Sequence, residues 1–268
     1  NARTAQGGFQ VSAGSADTNC ANANVTTNAT ADTGSNGESD PEGHIQASTI
    51  SITVEGKAHA AAEAWKGDSV DLVNASVNVL NASVNAVQTA EAGNTNLYAD
   101  RITITSILNK SDTSANPAAK AEMSAGGGFS GGSVKVNKAK AVSNATAIAR
   151  VRNANIGGID NNVPSLTIKT EATSFASAVL QNGSRAGFIG AGVILMEAEA
   201  QGNFQAGIDT NGTVKASTID IDTDYTVGAK AEVSNDKVGG NAISGSYNEA
   251  KATTKPYAAT FLSGDGMI

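Results

Sequence analysis

Asp220, Asp222 and Asp224 stand at i, i+2 and i+4 in "STIDIDTDY". On a strand, alternate residues share a face, so the three carboxylates line one side. Hard oxygen donors aligned in this way suit a cation such as Ca²⁺. The corresponding slots elsewhere hold Ser51 and Thr53, Thr103 and Thr105, or Thr167 and Lys169. Two readings therefore stand: an outward polar slot, or a calcium site. Cys20, the one cysteine, excludes an internal disulfide. It occupies the slot of Lys138, Glu197 and Glu249, and the inward alternation of Ala21 and Ala23 turns it outward. It is either a surface thiol or a covalent link to another chain. His44 follows a turn signal, "DPEG", and His59 takes an outward strand position. No Cys/His pair has metal-ligand spacing, and no Ser/His/Asp grouping can be assembled. The glycine runs at 126–132 and 187–192 lack a following Gly-Lys-Ser/Thr. They read as close sheet approaches.

The elements that carry these residues repeat. "STISITV", "DRITITS", "SLTIKTE" and "STIDIDT" share one form, with first apolar members Ile50, Ile102, Leu166 and Ile219, at intervals of 52, 64 and 53. Each alternates apolar with polar residues, the period of a half-buried strand. Its Thr and Ile favour the pleated surface. Alternating alanine segments follow, then glycine-rich stretches, then a second alanine run such as "NKAKA" or "NEAKA". The units run approximately 45–96, 97–160, 161–213 and 214–268, with a partial unit at 1–44 in one domain over 1–268. "NCANANVTTNATA" at 19–31 matches the second half of a unit, so the chain is expected to be a fragment or subunit of something longer. Residues 70–92 alone also fit one amphipathic helix, with Leu72, Val73, Val77, Leu80, Val84 and Val87 on one face.

Short strands separated by Asn, Gly and Asp corners predict an all-β, parallel β-solenoid, in which stacked units bury what one unit cannot. Alanine suits sheets that approach closely, and corner Asn tolerates left-handed geometry while bonding the next coil's Asn. With ~20 residues per coil the chain makes about a dozen coils and a rod of roughly 60 Å.

Composition narrows the function. The chain is 40% hydrophobic but only 4% aromatic, and its formal net charge is -7. An acidic chain without a Lys/Arg cluster is a poor partner for nucleic acid or anionic membrane. No stretch approaches the ~20 apolar residues that span a bilayer.

The "STISITV", "STIDIDT", "AKAEV" and "NKAKAVSNATAIA" lines resemble the repeat regions of bacterial filamentous-haemagglutinin and autotransporter adhesins, especially the leukotoxin-like filamentous kind. That resemblance implies a right-handed parallel β-helix, exported and presented at a cell surface or secreted, without cofactor. The expected function is a non-enzymatic adhesive stalk. The alternative is a subunit of an extracellular filament joined through uncapped coil ends. Partners would be a surface receptor or other copies of the chain, with no membrane insertion by this segment. A polysaccharide-processing enzyme would need a groove with clustered carboxylates and aromatic platforms, whereas Trp65 and the four Tyr are scattered.

Overall fold

Alternation of Ile with Thr and Ser draws the repeated segments into strands, because branched side chains pack well on a pleated, half-buried surface. The computed structural model describes residues 1–6, 10–12, 15–33, 43–66, 69–125, 128–158, 162–182, 185–234 and 241–268. Residues 7–9, residues 34–42 before Gly43, and residues 126–127 of the first glycine run lie outside the described residues. The first strands are β1 (Ala2–Gln6), β2 (Gln10–Ser12), β3 (Ser15–Asp32), β4 (Gly43–Gln46), β5 (Thr49–Gly56) and β6 (Ala60–Lys66). Next come β7 (Ser69–Gly93), β8 (Thr95–Tyr98), β9 (Arg101–Leu108), β10 (Ala119–Ala125) and β11 (Gly128–Arg152). The last are β12 (Asn155–Ile156), β13 (Ser165–Asn182), β14 (Arg185–Asp209), β15 (Ile219–Ser234) and β16 (Asn241–Ser263).

These strands form three sheets, parallel throughout. A front sheet has the order β1-β6-β10-β13-β9-β5, with β15 added on β13. A back sheet runs β16-β14-β11-β7-β2, with β3 also on β7, and a corner sheet runs β12-β8-β4. From β5 the chain visits front, back and corner, then returns to the front one strand further on. Each strand lies beside its counterpart in the next repeat: Val84 beside Ser143, and Ser143 beside Ala200. This all-β, parallel arrangement is consistent with a β-solenoid.

The coil size differs from the expectation of ~20 residues per coil. One whole repeat makes one circuit, because β7, β11 and β14 are single strands of 25 residues. Asn78, Asn81 and Asn85, of a residue type expected at corners, lie inside β7. The back sheet is five layers deep, so its thickness is about 19 Å at ~4.8 Å per step, against strands about 80 Å long. The body is a broad slab, not a 60 Å rod. The helical drawing of residues 70–92 also fails. β7 is flanked by β3 and β11, which take up its backbone hydrogen-bonding groups.

Side-chain size follows the number of walls. Beside the corner sheet the core has three sides. Ile50, Ile52, Ile102, Ile104, Leu166 and Ile168 of the front sheet meet Val151 and Ile208 of the back sheet and Leu97 and Ile156 of the corner sheet. Further along, only two sheets face each other, and the core is mainly alanine: Ala60, Ala62, Ala119, Ala121, Ala176 and Ala178 oppose Ala82, Ala139, Ala141, Ala198 and Ala200. Ser143 and Ser174 hydroxyls meet across this gap at 2.9 Å, and Ser174 Oγ also donates to the Ser143 carbonyl at 3.1 Å. A hydroxyl reaches the opposite backbone only where sheets lie closer than the usual ~10 Å.

Asparagine has two uses. Asn94 and Asn153, with φ of 37° and 51°, turn the chain from the back sheet to the corner sheet in successive circuits, a left-handed conformation Asn accepts readily. Asn19, Asn78 and Asn137 stack on the inward side of the back sheet. Asn19 Nδ2 donates to Asn78 Oδ1 at 2.9 Å, and Asn78 Nδ2 to Asn137 Oδ1 at 2.8 Å.

Candidate functional site

The outer side of the front sheet carries the three aspartates. Register places Ser51, Thr103, Thr167 and Asp220 in one row, and Thr53, Thr105, Lys169 and Asp222 in the next. A third row holds Glu55, Ile107, Glu171 and Asp224. Asp220, Asp222 and Asp224 are exposed on one side of β15. Asp222 faces a cation already in the chain, Lys169 Nζ at 3.5 Å. Among the described residues, no group of three or more His, Cys, Asp or Glu gathers to hold a metal. Lys169 also contacts Glu171 at 2.8 Å, and this hydrogen bond raises its pKa. Glu171 is paired with Lys110 as well, and these two lysines hold its carboxyl below the ordinary range.

A site that the sequence reading missed lies between β9 and β10. At the equivalent place the neighbouring circuits have three residues, 57–59 between β5 and β6 and 173–175 within β13, whereas this circuit has residues 109–118. The extra chain supplies seven of the twelve residues by which the 64-residue interval exceeds the 52 before it, and the other five fall between Ile156 and Leu166. It is pinned at its start by Asn109, with φ of 52°, whose Oδ1 accepts from the Ala58 amide at 2.8 Å. A turn closes it, with Asn116 N donating to Thr113 O at 3.2 Å and Thr113 N to Asn116 O at 3.3 Å. Asp112 is buried in this loop, 3.0 Å from His59 Nε2. Burial pushes its carboxyl pKa up, outweighing the opposing pull of His59 and Lys57. His59 thus sits in the gap between β5 and β6, not in a strand, and covers this carboxylate. Its Asp partner could not be chosen from spacing alone. His44 lies in β4, 4.7 Å from the Tyr98 ring, where a turn was expected.

Cys20 is exposed on β3, with Asn22 Nδ2 3.4 Å from its sulfur. Its row continues through Val79, Lys138, Leu195 and Glu249, while Glu197 aligns with Lys140 and Lys251. The back sheet's outer side has a shallow trough of about 440 Å³, lined by Asn144, Thr146, Gln201, Asn203 and Tyr257 among others. At its edge Lys255 reaches Glu199 at 2.5 Å, and this contact lowers the Glu199 pKa. A second hollow, about 520 Å³, lies at the corner between Gln46, Tyr98, Asp100 and Asn162. Across both faces, charged side chains pair with neighbours one strand away, as in Arg3 with Glu63 at 2.9 Å and Lys140 with Glu197 at 3.3 Å. This arrangement ties strand to strand. No helix among the described residues is long and apolar enough to cross a membrane. No family model, curated protein or solved structure matches this chain.

Proposed function

We propose that the chain is a non-enzymatic structural section of an exported bacterial surface protein, wound as a right-handed parallel β-helix, whose outer faces serve adhesion. The observation that carries this reading is register. Asn19, Asn78 and Asn137 recur 59 residues apart and bond in line, so each repeat is an addable layer, as in solenoids generally. Each layer adds only ~4.8 Å along the stack and about 80 Å of strand across it. The section is therefore a broad shaft and not a thin stalk, and its partners would meet the flat sides. The acidic balance, -7 overall, supports a protein or glycan partner over nucleic acid.

Antibodies raised against the purified chain test the reading. They should label intact cells of the source bacterium or material shed from them. Labelling only after permeabilisation would overturn the extracellular assignment, and turnover of a polysaccharide by the pure chain would overturn the non-enzymatic one.

A further inference from the structure

The insertion at 109–118 is fixed at both ends to the circuit before it. Asn109 N donates to Gly56 O at 3.0 Å, Asn109 Oδ1 accepts from the Ala58 amide at 2.8 Å, and Ala60 N donates to Ala118 O at 2.8 Å. Between these ties the loop folds on itself. Asp112 N donates to Asn109 O at 2.8 Å, and the Thr113–Asn116 turn stands exposed. Among the described residues, two side-chain contacts hold its middle to the rest of the chain: Lys110 with Glu171, and Asp112 with His59.

The Asp112 side chain has 0% exposure and that of His59 35%. Apart from His59 Nε2 at 3.0 Å, neither Asp112 oxygen has a partner among the described residues, and Asn109 Nδ2 of the same loop is also buried without one. A buried carboxylate that lacks hydrogen bonds is destabilising unless a cation accompanies it. A loop with no task beyond closure is served better by an amide or an aliphatic side chain. The charged groups that face the carboxyl come from the β5–β6 connection, Lys57 and His59, and both oppose the effect of burial. β13 meets the loop through Glu171, which Lys110 and Lys169 engage.

We infer that the Asp112–His59 contact is a pH-sensitive latch: one proton shared by the pair keeps the 109–118 loop closed, and loss of that proton releases the loop into solvent. With one proton between them the pair is imidazolium with carboxylate, or imidazole with carboxyl, and both suit the closed site. Once the proton leaves, His59 offers no countercharge, and an anion without hydrogen bonds stays enclosed. Opening then hydrates the carboxylate. Burial raises the Asp112 pKa above 3.8, so the closed form is favoured below that value and loses ground as pH rises through the folded pKa. Backbone bonds to Gly56 and Ala60 pin the two ends of the loop, so it opens as a flap while the sheets stay intact. The segment so displayed, residues 110–117, is mostly polar and breaks the repeat, and it gives one circuit a surface its neighbours lack. The latch is independent of the function proposed above.

Hydrogen exchange of the whole chain, read by mass spectrometry from pH about 5 to 9 with labelling times scaled to the intrinsic exchange rate, tests it. In the parent, protection of residues 109–118 should fall as pH rises, by up to about tenfold per pH unit, the slope of one proton. Residues 139–147 of β11 should keep theirs. Asp112→Asn should remove the pH dependence. His59→Lys, which supplies a more persistent cation, should keep the loop protected up to pH about 9. Constant loop protection in the parent overturns the inference, as does the parent's pH course in Asp112→Asn or in His59→Lys. A loss shared by β11 would mean unfolding of the whole chain and overturn it equally.

Discussion

Replacing Ala141 with leucine tests how narrow the two-sheet section is. Ala141 is fully buried, with Ala82 and Ala198 beside it in the adjoining strands. Two strand positions away, the Ser143 and Ser174 hydroxyls touch at 2.9 Å across the gap. A leucine adds three carbons where a single hydroxyl already bridges the sheets, so either the sheets part or the side chain leaves its rotamer. Overpacking of this kind costs about 3 kcal/mol, the upper part of its usual range. For comparison, Ile104→Ala in the three-sided section should cost about 3 kcal/mol through the cavity it leaves. Urea unfolding followed by circular dichroism reads both, with unchanged slopes and lowered midpoints expected. If Ala141→Leu costs less than about 1 kcal/mol while Ile104→Ala costs its full amount, the gap is wide and the link between wall number and side-chain size is wrong.

Asn78→Ala interrupts the amide ladder and removes a partner from both Asn19 and Asn137; a loss of about 2 kcal/mol is expected in the same unfolding assay. Asp112 has a folded pKa above its unfolded value of 3.8. The stability it contributes is therefore present below that value and lost as pH rises through the folded pKa. Melting curves should show the parent losing ground to Asp112→Asn as pH rises above 3.8, and a constant difference would contradict the burial argument. Glu171, with its pKa lowered by Lys110 and Lys169, behaves in the opposite sense. Its contribution stands above the ordinary 4.5 and fades as pH falls through the depressed value, so Glu171→Gln should flatten the acid limb of the stability profile. Because Lys169 already lies against Asp222, Asp222→Asn should melt at the same temperature with and without calcium; a calcium-dependent rise lost in the variant would revive the metal reading.

The strands and their repetition were legible because Ile50, Ile102, Leu166 and Ile219 recur with strict alternation around them, and the front sheet aligns these four in one row. The size of the circuit was not legible. Asn, Gly and Ser inside β7 and β11 look like turn residues, yet an Asn whose amide is satisfied by the same Asn one strand away behaves as a strand residue. A repeat length also says nothing of how many strands share it. The insertion at 109–118 contributes seven of the twelve extra residues in the longer interval before Leu166, but nothing in the spacing locates it or shows that Asp112 turns inward beneath His59.

The central claim, one repeat per circuit, is tested most directly by a distance between two spin labels. Asn22 and Lys251 lie outward in one row, through Asn81, Lys140 and Glu197, four strands apart. Nitroxides on Asn22→Cys and Lys251→Cys, in a Cys20→Ser background, are read by double electron–electron resonance. The backbone separation at the labelled sites should be about 19 Å at ~4.8 Å per strand, broadened by the label arms. Coils of ~20 residues would set the same two sites about 55 Å apart, and a distribution centred there would contradict the account.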